Sequence, residues 1–238
     1  MAYCILIRHG RSTANTKGVL AGWLEGVDLD DTGRRQAEEL VDRLGDTPFV
    51  HLVTSPLGRC RQTAAPLARA HDLTPEVDPE VGECHYGSWT GRPLKELTSE
   101  PLWRTVQDQP SRAAFPSSSE HEGESIAAMA ERAAAAATRI DARVTEEHGE
   151  QAVWAMVSHG DVIKSVLAHA AATPLDHFQR WHVDPASVSV VHFTRTRPMV
   201  LRSNDTGVST LHPPKPTEDT EPSGDAAVGG GAGLGSDA

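Results

Sequence analysis

The amino-acid sequence predicts an α/β fold: three layers, α/β/α, around a mostly parallel central sheet joined by crossover helices. Two observations carry this. Short apolar runs rich in β-branched residues alternate with stretches of helical periodicity, the pattern of a parallel sheet with its connections on the faces. Two of those runs, "YCILIR" and "AVWAMVS", stop at a histidine followed by a glycine, as strands do when their carboxyl ends turn toward a ligand.

Taken in order, "YCILIR" (3–8) is the first strand, and "DDTGRRQAEELVDRL" (30–44) is a helix with Ala37, Leu40, Val41 and Leu44 at helical spacing. "FVHLVTS" (49–55) is the second strand, followed by a helix over about 57–70. A helix over about 124–147 is alanine-rich from Ile126 to Ala137, and alanine costs least to hold helical. "AVWAMVSHG" (152–160) is a strand and its turn, "DVIKSVLAHAAA" (161–172) a helix, and "SVSVVHF" (187–193) the last strand. Pro93, Pro101, Pro110 and Pro116 break up 92–123, which is too long for an ordinary loop and reads as an irregular or short-helical cap over a site.

At 238 residues, 38% hydrophobic, the chain can bury one sizeable core, and a single domain over 1–203 is expected. From Asn204 the composition turns to Pro, Gly, Ser and acid, with six acids against Lys215 alone. Such a segment cannot offset the entropy of ordering, so 204–238 reads as a tail, disordered from about 213. The net charge of −11 argues against coating nucleic acid or an anionic membrane, and any anion site must be local. No 18 apolar residues run together, so no membrane span is expected. The three cysteines, Cys4, Cys60 and Cys84, fit no disulfide framework and suit a reducing cytoplasm as small packed residues.

Four strand ends or following loops bring chemistry to one edge: Arg8 and His9, Arg59 in "TSPLGRCRQT", Glu83 in "GECHYGSW", and His159. Glycine after histidine lets backbone N–H groups approach an anion, and arginine offers a rigid fork of donors for phosphate oxygens. Singly, each has a plain structural explanation. Together they predict a phosphate pocket.

On these residues the chain resembles the histidine phosphatase superfamily, also called phosphoglycerate mutase-like. "LIRHGRSTAN" resembles its Arg-His-Gly signature, "DLDDTGRRQA" its first-helix segment, and "TSPLGRCRQTA" its Ser-x-x-x-Arg-x-x-x-Thr segment. "GECHYGSWTG" is similar to its acid loop, "EGES" to its Gly-Glu-Ser turn, and "VSHGDVIKSVL" to its second histidine block. The blocks run in family order from about residue 3 to 195. The resemblance implies His9 as the nucleophile that becomes a phosphohistidine. It implies Arg8, Asn15, Arg59 and His159 as ligands of the phosphoryl oxygens, Glu83 as proton donor and then base, and no metal or other cofactor. His159 therefore counts among both the catalytic and the phosphate-binding residues.

Position 11 is Arg11 where many members carry Glu or Gln; it adds positive charge near the pocket mouth or decorates the surface. Arg61 and Lys95 are weaker candidates for gripping a second anionic group. A metal hydrolase finds little support: the twelve histidines form no His-Glu-x-x-His, and no Cys-x-x-Cys is present. Nor is there a Gly-x-Ser-x-Gly nucleophile elbow. Mutases of the family carry a basic insertion with an Arg-Arg pair, which "RPLKELTSEPLWRTVQDQPSRAAFPSSSEHEGES" lacks. The expected activity is therefore hydrolysis of a small phosphate monoester, with a primed phosphomutase and a non-catalytic phospho-ligand module as alternatives. Trp23, Tyr86, Trp89, Trp103 and Phe115 could stack on a base, or pack the core or lid. A nucleoside-type or sugar monophosphate is the substrate guess. The sequence leaves the oligomeric state open.

Overall fold

Alternation within the first strand, β1 (Tyr3–Arg8), already demands cover on both sides of a sheet, because Cys4 and Leu6 point one way, Ile5 and Ile7 the other, and all four are buried. A computed structural model of the chain, which describes residues 1–208 together with Val228 and Gly229, supplies that cover. After β1 come α1 (Thr13–Thr16), α2 (Asp31–Leu44), β2 (Phe49–Thr54), α3 (Gly58–Ala70) and β3 (Glu76–Val77). Next are α4 (Leu94–Leu97), α5 (Pro101–Asp108), α6 (Ile126–His148), β4 (Val153–Ser158), α7 (Gly160–Ala170), β5 (Val188–His192) and β6 (Met199–Asp205).

The described strands form one six-stranded sheet in the order β3-β2-β4-β1-β5-β6. The first four of that order are parallel; β5 runs antiparallel to β1, and β6 to β5. On one face α2 and α3 cover Ile5, Ile7, Leu52, Ala155 and Val157. On the other, Cys4, Leu6, Val53, Trp154 and Met156 meet α6 and α7. Burying each such Leu, Ile, Val or Met side chain contributes about 1.5–3 kcal/mol, so the two faces hold the strand ends in a fixed register. Local chemistry sets the helix starts. Asp30 accepts from the Gly33 N–H at 2.7 Å to cap α2, and Ser125 accepts from the Ala128 N–H at 3.0 Å to cap α6.

The 92–123 stretch, read as an irregular or short-helical cap, carries the short helices α4 and α5 and packs on the body. Leu97, Trp103, Val106 and Phe115 join the core, and bridges Tyr86–Gly123 and Ala114–Ser125 staple the stretch to its neighbours. Gly87 is required at this crossing. Its φ is +51°, and a Cβ there would lie 2.1 Å from the Pro116 carbonyl oxygen.

Two corrections concern the C-terminal part. The boundary at 203 falls inside β6, an edge strand whose half-exposed Met199 and Leu201 sit among Arg, Ser, Asn and Asp. Its strand state comes from backbone pairing with β5 and not from an apolar pattern. Of the expected disordered tail, 213–227 and 230–238 lie outside the described residues, but Val228 is 1% exposed and packed into the core cluster. Among the described residues no helix is long and apolar enough to cross a membrane, and Cys4, Cys60 and Cys84 are free and buried.

Candidate active site

Sheet order decides which loops meet. β4 lies between β1 and β2, with Arg8 level with Ser158 and Thr54 level with Val157. The next residues of the three strands, His9, His159 and Ser55, therefore leave the carboxyl edge side by side. Backbone bonds extend the ladder to them, from the His9 N–H to the Ser158 carbonyl at 2.9 Å and from the Ser55 N–H to the Val157 carbonyl at 3.0 Å. The His9 and His159 rings stand edge to face with centroids 5.3 Å apart.

The glycines of the first two blocks have a steric role. Gly10 and Gly33 touch where α2 meets the loop after β1: a Cβ on Gly33 would lie 1.9 Å from the Arg11 carbonyl oxygen, and one on Gly10 would lie 2.6 Å from that of Gly33. Thr63, the last residue of the Ser-x-x-x-Arg-x-x-x-Thr segment, takes the Gly10 N–H on Oγ1 at 3.0 Å and donates to the Arg59 carbonyl at 2.7 Å. The segment thereby ties α3 to the first histidine loop.

His9, Asn15, Arg59, Glu83 and Tyr86 stand in the wall of one small cavity of about 30 Å³. His9 Nδ1 is 2.7 Å from the Gly10 carbonyl oxygen. A carbonyl can only accept, so Nδ1 carries the hydrogen and Nε2 keeps its lone pair. Burial, then the charges of Arg59 and Arg8, hold the His9 pKa well below its usual value, so the ring is neutral. Arg59 Nη2 donates to the Gly22 carbonyl at 2.9 Å and to His159 Nδ1 at 3.1 Å, while its Nη1 is buried with no hydrogen-bond partner among the described residues. A buried, unpaired cationic donor is costly unless an anion completes it. His159, also held neutral by burial and then Arg59, accepts at Nδ1 and faces the Ser55 hydroxyl with Nε2 at 2.8 Å. Arg8 is buried and donates from Nη1 to the Val183 carbonyl at 2.8 Å. Asn15 Oδ1 accepts from the Ser12 N–H and hydroxyl in a capping box, which fixes the amide.

Glu83 is 2% exposed, accepts the Cys84 N–H on Oε1 at 3.0 Å, and brings Oε2 to 3.8 Å from His159 Nδ1. Burial foremost, then the charge of Asp161, pushes its pKa up to about 7 against the opposing pull of Arg59. The carboxyl can therefore give and retake a proton near neutrality, as general acid–base work requires.

His9, Asn15, Arg59 and Glu83 line the cavity; His159 stands outside its wall but against the His9 ring and Arg59, Arg8 is buried outside the wall with Nη1 on the Val183 carbonyl, and three further candidates are left out. Arg11 does not reach the cavity wall: its Nε lies 2.7 Å from Asp30 Oδ2 and its Nη2 donates to Thr32, so the helix-capping acid has taken the charge. Arg61 and Lys95 are exposed and absent from the wall. Of the aromatics, Trp89, Trp103 and Phe115 pack in the core, while Trp23 stacks on His85. Tyr86 does line the cavity.

Sequence reasoning missed Arg132 and Asp161. Arg132 donates to the Gly82 and Glu83 carbonyls at 2.9 Å each, and pairs with Glu124 at 2.7 Å. It clamps the acid loop together with Trp23, whose Nε1–H also donates to the Glu83 carbonyl. Its sequence signal is weak: it is one of three arginines in α6, set in the alanine-rich first half of the helix. Asp161 hides in the helix after the second histidine. Among the described residues no group of three or more His, Cys, Asp or Glu could hold a metal ion.

The comparisons identify the family and the fold. A family model described as "Histidine phosphatase superfamily (branch 1)" matches residues 4–206. Phosphoserine phosphatase 1 of Hydrogenobacter thermophilus is 28% identical over 87% of this chain and 93% of its own. A probable phosphoglycerate mutase of Yersinia enterocolitica is 29% identical over 81% and 86%. An uncharacterized Mycobacterium tuberculosis protein is 44% identical over 78 residues only, 33% of this chain and 38% of its own. Among solved structures, Bacillus stearothermophilus YhfR aligns with a TM-score of 0.76 and 25% identity, over 86% of this chain and 98% of its own.

Proposed function

The chain belongs to the histidine phosphatase superfamily, branch 1, and from that premise we propose that it is a phosphomonoesterase that hydrolyses a small phosphorylated metabolite through a phosphohistidine on His9. One observation carries the reading. A neutral His9, with Nδ1 tied to Gly10 and its Nε2 lone pair available, shares a cavity with a buried Glu83 whose pKa is about 7. In the proposed first step Nε2 attacks phosphorus, the ester P–O bond breaks, and Glu83 gives its proton to the leaving alkoxide. In the second, water attacks the phosphohistidine, the P–N bond breaks, and the Glu83 carboxylate takes the water's proton. Arg59 Nη1, which has no partner in the cavity wall, stabilises charge on the equatorial oxygens together with Arg8, Asn15 and His159. Neither half-reaction needs a metal ion or an added cofactor, and the partner is a small molecule and not nucleic acid or membrane.

Hydrolysis rather than phosphomutase chemistry is supported by the missing basic insertion and, among the described residues, by where the three candidates for a second anionic grip stand. Arg11 is held by Asp30, and Arg61 and Lys95 stand outside the cavity wall. The test mixes protein briefly with labelled substrate and quenches in alkali. An acid-labile phosphoenzyme should form and vanish in His9→Ala. The intact protein should release phosphate from several monoesters in EDTA and make little 2-phosphoglycerate from 3-phosphoglycerate with a bisphosphoglycerate primer. Label that survives on His9→Ala removes that residue from its role, and efficient primer-dependent isomerisation without phosphate release overturns the assignment.

A further inference from the structure

Beside the acid, outside the set of phosphate ligands, stands a second buried carboxylate. Asp161 is the second residue of α7 and 1% exposed. Its Oδ1 accepts from Lys164 Nζ at 3.3 Å, and Lys164 also donates to Gln179 Oε1 at 2.9 Å. Its Oδ2 accepts from the Tyr86 hydroxyl at 2.9 Å and from the backbone N–H of Gly229 at 2.9 Å. Lys164 and the helix N-terminus together offset the negative charge. What Oδ2 meets are neutral donors, a phenol and an amide.

Gly229 comes from the far end of the chain, 68 residues away in sequence, yet lines the same cavity as His9, Arg59 and Glu83. Its fit is close: φ is +74°, and a Cβ there would lie 2.8 Å from Leu20 Cδ1 and 3.5 Å from the Tyr86 hydroxyl oxygen. With Val228 and Gly229 in the wall the cavity is about 30 Å³, far below the roughly 300–1,000 Å³ of pockets that enclose small ligands. An organic ester beside His9 and Gly229 in this position exclude each other. Once Gly229 leaves, Asp161 Oδ2 has lost one of its two donors, and a buried acceptor is costly to leave short of partners.

We propose that Asp161 is a specificity-determining residue: it accepts a hydrogen bond from a hydroxyl on the organic part of the phosphate ester, at the place that the Gly229 backbone N–H holds here. The substrate class is thus a hydroxyl-bearing monoester, a polyol or sugar phosphate. An ammonium donor fits less well because Lys164 already supplies a cation to the same carboxylate. The inference rests on the phosphomonoesterase reading of the same site. Sites that hydrogen-bond a substrate hydroxyl discriminate strongly against analogues that lack it; here Tyr86 and Lys164 remain on Asp161, so the discrimination is smaller.

The test compares kcat/KM for glycerol 1-phosphate and propyl phosphate, primary alkyl esters that differ in their hydroxyls, with p-nitrophenyl phosphate as the check on phosphatase activity. The full chain should prefer glycerol 1-phosphate about tenfold or more. Asp161→Asn, which keeps the shape and removes the charge, should cut that preference at least about threefold. Equal kcat/KM on the two alkyl esters by a protein that hydrolyses p-nitrophenyl phosphate, or a preference that Asp161→Asn retains in full, overturns the proposal alone. Should Asp161→Asn fail to fold, Gly229→Val in the full chain decides. Displacing the segment should lower KM for glycerol 1-phosphate about twofold or more with kcat unchanged, and an unchanged KM overturns the proposal. No phosphate release from any of the three esters overturns the phosphatase reading and this inference with it.

Discussion

Replacing Glu83 by Gln should stabilise the protein in alkaline solution while it disables the chemistry. The carboxyl titrates at about 7 in the folded protein against an ordinary 4.5. Between those values the folded state keeps a proton that the unfolded chain has released, so stability falls as pH rises through the window and the full cost is reached above pH 7. The difference amounts to about 3 kcal/mol at pH 8 and less than about 1 kcal/mol at pH 5. Glutamine has nearly the same shape and nothing to ionise. Its oxygen can keep the Cys84 N–H. Glu83→Gln should therefore gain roughly 2–3 kcal/mol over the parent at pH 8, or about 5–10 °C in Tm for a domain of this size. At pH 5 the gain should nearly disappear. Calorimetric scans of both proteins at the two pH values make the measurement. A gain that is the same at both, or a loss confined to pH 8, would refute the placement of a strained carboxylate at this site.

Three more outcomes follow from the same geometry. With alkyl phosphates, kcat/KM should fall above about pH 7 as Glu83 loses its proton, whereas p-nitrophenyl phosphate, whose leaving group needs no acid, should hold its rate past pH 8; parallel profiles for the two esters contradict this. Arg59→Ala should lower kcat by roughly 30- to 1,000-fold, about 2–4 kcal/mol for one donor at a developing charge, measured in steady state with any accepted ester. Arg132→Met should lower kcat with little change in KM, because it frees the Glu83 backbone without touching the phosphate ligands; it should also cost roughly 3 kcal/mol by stranding Glu124, read by urea denaturation.

Much of this protein is local information. Alternation in "YCILIR", helical spacing in "EELVDRL" and a histidine-glycine pair at two strand ends are properties of neighbouring residues, so the layers, the parallel strands and the pairing of His9 with His159 could be read from the chain. Ser55, Arg59 and Thr63 were legible because nine consecutive residues, from the end of β2 into the start of α3, carry all three in a spacing that resembles the family segment. The remainder depended on what folding brings from a distance. Arg11 looked available until Asp30 reached it, 19 residues on, and Arg132 drew no notice in the sequence because the acid loop that it clamps lies 49 residues away. The edge strand β6 owes its state to hydrogen bonds with β5, which its mixed composition does not announce. Gly229, in a segment of tail-like composition, meets Asp161 only in the tertiary structure. The proton of Glu83 belongs to this second class as well. Residue type sets an ordinary carboxylate near 4.5, and only burial beside Asp161 moves it to about 7, because desolvation and unscreened charge are properties of a place in the fold and not of a position in the chain.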